Sequence, residues 1–138
     1  MNDWDEFEKQ GRQYLKAALG KDGKPSKLSN DIRYNLLALS LEKSMMAVIM
    51  FNGDLADNHT FGDLLHSLER HVYIPATIHD EITSLEQVQS ICNVFEYHRE
   101  MPSDPVVERM ITAAEYMAAC AKGICRSLKQ VEAAADVR

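Results

Sequence analysis

The chain has 138 residues, of which 46% are apolar and 26% charged, so it is long enough for one domain with its own core and too apolar for a disordered polymer. A net charge of -6 opposes binding to phosphate backbones or anionic lipid unless a local basic patch exists. Cys92, Cys120 and Cys125 are odd in number and lack zinc-type or disulfide-framework spacing, which excludes a stapled secreted scaffold and fits a reducing, cytoplasmic setting.

The start, with Asn2, Asp3, Trp4 and Asp5, is unlike a signal peptide, and acidic residues recur from Met1 to Glu8 as a block expected to be solvated. Trp4, Phe7, Gly11, Tyr14, Leu15 and Ala18 recur three or four apart and predict a first helix, stopped by Gly20. Lys21 to Ser26, with Gly23 and Pro25, reads as a polar loop. Ser29 or Asn30 caps a second, central helix ending at Asn52 and Gly53. Its expected inward stripe is Ile32, Leu36, Leu39, Met46 and Met50, widened by Leu37, Leu41, Met45 and Val48. The apolar run Leu36 to Phe51 is broken by Glu42 and Lys43 and is short for a membrane span, so no membrane association is expected.

A third helix starts near Thr60, with Asp63 at the capping-box position and Phe61, Leu64, Leu65 and Leu68 inward. Beyond Pro75, Ile78 to Ile82 and Leu85 to Phe95 read as two short helical pieces, the second capped by Ser84. Glu96 to Pro102 is a polar, aromatic loop. Ser103 caps the final helix, with Pro105 in its first turn and Val107, Met110, Ile111, Ala114, Met117, Ala118, Ala121, Ile124, Cys125 and Leu128 on one face. Strand signals are almost absent. The fold expected is therefore all-α: one bundle over residues 1–130, with a frayed tail at 131–138.

Burying Glu42 or Lys43 alone costs several kcal/mol, so each needs a partner or water. One expectation is a polar pocket in which Lys43 holds a phosphate and Glu42 orders it; the other is a structural ion pair. Tyr97, His98 and Arg99, with Arg109 in the following helix, could stack, transfer protons and hold an anion, although Glu96, Glu100, Asp104 and Glu108 offset their charge. The small residues Ala114, Ala118 and Ala121 would permit a close helix contact, either within the chain or in a dimer seam. No histidine pair has helical metal-ligand spacing, so neither metal nor cofactor is expected; His59 reads as part of a turn, and His66 and His71 as surface residues.

The segment YNLLALSLEKSMMAVIMFNGDLADNHTFGDLLHSLE, Tyr34 to Glu69, resembles the central helical pair of HEPN domains. Its Ala- and Leu-rich helix carries Glu42 and Lys43, and is followed by Gly53, His59 and a Leu-rich helix. EYHREMPSDPVVERMITAAEYMAACAKGI, Glu96 to Ile124, is similar to the family's polar loop and final helix. The resemblance implies an up-and-down bundle of four to five helices and frequent homodimerisation. It also implies roles in RNA cleavage, in nucleotide-associated or toxin-antitoxin-like systems with a nucleotidyltransferase-type partner, or in protein interaction. The ribonuclease members' Arg, short spacer and His near the final helix are missing here: His98 precedes Arg99, no His follows it, and Arg70 adjoins His71. The expected function is a non-catalytic, dimeric interaction or regulatory module, with weak or no RNA binding. The alternative is a nucleotide-binding or RNA-cleaving enzyme with a displaced site.

Overall fold

The computed structural model describes the backbone of residues 3–21, 26–56, 58–94 and 102–136, with side chains to 86 and 126 in the last two stretches. Tyr97, His98 and Arg99 lie outside the described residues. Five helices follow in order: α1 (Asp3–Ala18), α2 (Asn30–Phe51), α3 (Phe61–Glu69), α4 (Ala76–Val94) and α5 (Asp104–Asp136). Among the described residues there is no strand, and the chain is an all-helical bundle.

Contacts at the helix ends fix the topology. Arg33 at the start of α2 donates to the Ala18 carbonyl at 3.3 Å, and Trp4 packs edge-on against Phe51 with centroids 5.0 Å apart, so α1 and α2 are antiparallel. Asn30 donates to Pro102 O at 3.0 Å and to Asp104 Oδ1 at 2.6 Å, which brings the starts of α2 and α5 together. The α3–α4 segment is therefore the return leg. Helices α1, α2 and α5 all pack on one another, whereas α3 rests on α2 and α4, and α4 on α3 and α5.

The core contains Leu37, Leu41, Met45, Val48 and Ile49 of α2, Phe61, Leu64, Leu65 and Leu68 of α3, and Val107, Met110, Ala114, Met117, Ala121 and Cys125 of α5. The second set of expected α2 residues thus faces inward, while Ile32 and Leu39 are 48% and 36% exposed. This corrects the expected stripe at Ile32 and Leu39, while Met46 is buried and Leu36 and Met50 pack against the core, because packing by α1 and α5 selects one side of a helix that is apolar on several. From Ser44 to Ile49 α2 is buried on every side, so its membrane-like length and apolarity serve the core.

At Gly11 the α1 and α2 backbones approach closely: a Cβ there would lie 2.5 Å from Ser44 Oγ and 3.3 Å from Ser40 O. Ser40 donates to the Gly11 carbonyl at 2.7 Å across the same contact. Glu8 is only 2% exposed, which corrects its assignment to a solvated acidic block. Arg12 binds it through two nitrogens at 2.7 and 3.2 Å, and Arg126 of α5 stands 3.6 Å away. Two guanidinium groups thus offset the cost of burying the carboxylate.

The two helical pieces expected after Pro75 are a single helix. No Gly or Pro interrupts Ala76–Val94, and Ser84 is an interior residue instead of a cap. The N-H groups of Ile78 and His79 both donate to the Pro75 carbonyl, which starts α4. Helix α5 continues to Asp136 through alanines, the strongest helix formers.

Candidate functional site at the junction of α2 and α3

Helix α2 ends in a turn that aims the chain back along it. Gly53 adopts φ 75°, its N-H donates to Met50 O at 2.9 Å, and the Asp54 N-H donates to Ile49 O at 3.1 Å, the two bonds of a Schellman motif. Thr60 then caps α3, accepting the Asp63 N-H at 3.2 Å and donating to Asp63 Oδ2 at 2.9 Å. His59, just before that cap, consequently lies beside the middle of α2.

There His59 Nδ1 is 2.7 Å from Glu42 Oε1. An ionised carboxylate can only accept, so the Nδ1 that faces it carries a proton. The pair borders a cavity of about 310 Å³ lined by Asn35, Ala38, Leu39, Glu42, His59 and Phe61. Residues 35, 38, 39 and 42 share one helical face, which explains why they line a single hollow.

Lys43 points elsewhere: its Nζ is 4.6 Å from the centroid of the Phe7 ring on α1. Successive helical residues diverge by about 100°, so Glu42 and Lys43 neither pair with each other nor enclose one phosphate pocket. Each is partnered separately, Glu42 by His59 and Lys43 by the Phe7 ring. Sequence reasoning found Glu42 but assigned His59 only to a turn; the carboxylate partner becomes visible only when the chain folds back.

Arg109 joins α4 to α5, donating to Glu81 Oε1 at 2.5 Å and Ser84 Oγ at 2.6 Å. Ala114, Ala118 and Ala121 are buried inside the single chain, so their smallness is used by its own core. At the far end of α2, Asp54 Oδ2 accepts from Arg70 and from His71 Nε2, each at 2.9 Å. The His71 hydrogen bond first and the Leu55 N-H next hold the Asp54 carboxyl below its ordinary range; burial opposes them, and the charges of Arg70 and His71 add smaller lowering effects. His79 pairs with Glu69, while His66 is exposed.

Burial pushes the Cys120 thiol up, and pushes Cys125 up to about 12 with help from Glu8, Asp5 and Cys120. Neither is poised as a thiolate nucleophile. Among the described residues, no three His, Cys, Asp or Glu side chains gather as a metal-binding group. No family model, curated protein or solved structure matches the chain.

Proposed function

We propose that the chain is a HEPN-like interaction module that does not cleave RNA and works by docking a protein partner, a second copy of itself in the first instance. The observation that carries this reading is the exposure of Tyr73 and Leu55, 84% and 68% accessible. Asp54 draws their chain neighbours together by binding Arg70 and His71. Tyr and Arg dominate binding hot spots because they combine contact area with hydrogen bonding, and an exposed Tyr73 alongside Arg70 has that composition.

The adjacent Arg70 and His71 serve Asp54, and the sequence lacks the family's spaced Arg and His, which supports a role without RNA cleavage. The cysteine usage supports a cytoplasmic setting. Light scattering at on the order of tens of micromolar should show a dimer. Leu55→Asp combined with Tyr73→Ser should yield a folded monomer, whereas a monomeric parent protein or an unaffected double variant would reject the self-docking surface. Single-stranded RNA incubated with the protein and a chelator should stay intact; cleavage that survives repurification would reject the non-catalytic reading.

A further inference from the structure

The cavity between Asn35 and His59 is independent of the proposed Leu55–Tyr73 surface, and its chemistry selects its own ligand. Glu42 Oε1 accepts the His59 Nδ1 proton at 2.7 Å, while Oε2 has no donor among the described residues. The Asn35 carboxamide also has no hydrogen-bond partner among them, although it lines the same hollow. These two polar ends are seven residues apart on α2, an axial separation of about 10 Å. Ala38, Leu39 and Phe61 form the apolar lining between them.

Charge discriminates among possible ligands. Glu42 is the one carboxylate of the lining, and no Lys or Arg lines the cavity. The nearest cation in sequence, Lys43, is held over Phe7. A phosphate or carboxylate entering here would meet Glu42 with no Lys or Arg to compensate it, in a chain of net charge -6. A cationic group would instead supply the missing donor to Oε2 while its apolar body covers the lining. The polar carboxamide of Asn35 can orient the opposite end.

We infer that this cavity binds a small organic cation with a flat apolar body, an aryl amidinium or aryl ammonium, with its charge against Glu42 and its ring over Ala38, Leu39 and Phe61. The carboxylate supplies selection by charge. His59 fixes the rotamer of Glu42 and leaves the other carboxylate oxygen for the ligand.

Benzamidinium, neutral benzamide and anionic benzoate are suitable probes because they share one ring and differ chiefly in charge. Titrated into the full chain and followed by amide NMR, benzamidinium should give saturable shifts at Asn35, Leu39, Glu42 and His59. Benzamide should bind at least about tenfold more weakly, the scale of one charge-assisted contact, and benzoate more weakly still. Glu42→Gln should reduce benzamidinium affinity to that of benzamide, while Lys43→Ala should retain the parent preference. If Glu42→Gln does not fold, the three probes on the parent protein decide. Equal or tighter binding of benzoate or inorganic phosphate would overturn the inference. So would the absence of saturable benzamidinium shifts at these amides by about 10 mM, well beyond the range of a specific contact.

Discussion

Glu8 shows how far a single residue can depart from its sequence neighbourhood. It sits among acids that suggest a solvated block, yet lies in the core between Arg12 and Arg126. Only Arg12 is at the helical spacing that sequence can reveal; Arg126 comes from the other end of the chain. Glu8 also helps suppress ionisation of Cys125. Iodoacetamide at neutral pH should therefore leave Cys125 unmodified until denaturant is added and label the half-buried Cys120 slowly, as read by peptide mass spectrometry. Rapid labelling of Cys125 in the native protein would contradict its burial. Gly11 was legible as an inward residue from its spacing, but its close approach to Ser44 was not. Gly11→Ala should cost about 1–3 kcal/mol in urea denaturation, because Ser44 N and Ser40 O are backbone neighbours that cannot simply rotate away. Ser44 Oγ is buried and unpartnered, so Ser44→Ala should be neutral or stabilising and should relieve part of the Gly11→Ala loss.

At the scale of elements, caps and stops were the most readable features: Ser29, Thr60 and Gly53 occupy the positions their chemistry favours. The inward face of α2 was harder to read because apolar residues surround much of the helix, and only its neighbours decide that Leu37 is buried while Ile32 is not. Pro75 marked a helix boundary correctly, but the uninterrupted helix beyond it had to be recognised from the absence of a breaker. The Schellman turn also has an electrostatic role, since it places Asp54 against His71 and Arg70. Because the folded carboxyl titrates below its unfolded counterpart, its contribution is present above the ordinary Asp range and disappears as pH falls through the lowered folded value. Asp54→Asn should therefore lower the urea midpoint at about pH 6 and have much less effect at a pH below the lowered folded value. An equal loss at both pH values would show that the effect is not due to ionisation.

For the whole molecule, helical content and the identity of most core residues follow from period and composition, whereas the cavity depends on three elements meeting. Asn35 and Glu42 have helical spacing, but His59 joins them only because the chain reverses at Gly53 and resumes at Thr60. The same reversal makes α3 and α4 the return leg and leaves α2 and α5 with their starts side by side. Parallel helices align their macrodipoles, so two partial positive charges face each other at that end. Asp31 and Asp104 occupy the first turns there, and the Asn30 amide secures the Asp104 carboxylate at 2.6 Å. Replacing Asp104 with Lys should consequently cost about 1 kcal/mol at low ionic strength, with a smaller penalty in high salt, as measured by thermal denaturation. Alignment of the two helices thus carries an electrostatic cost beyond that of packing their side chains, and the acidic first turns offset it where their amide dipoles converge.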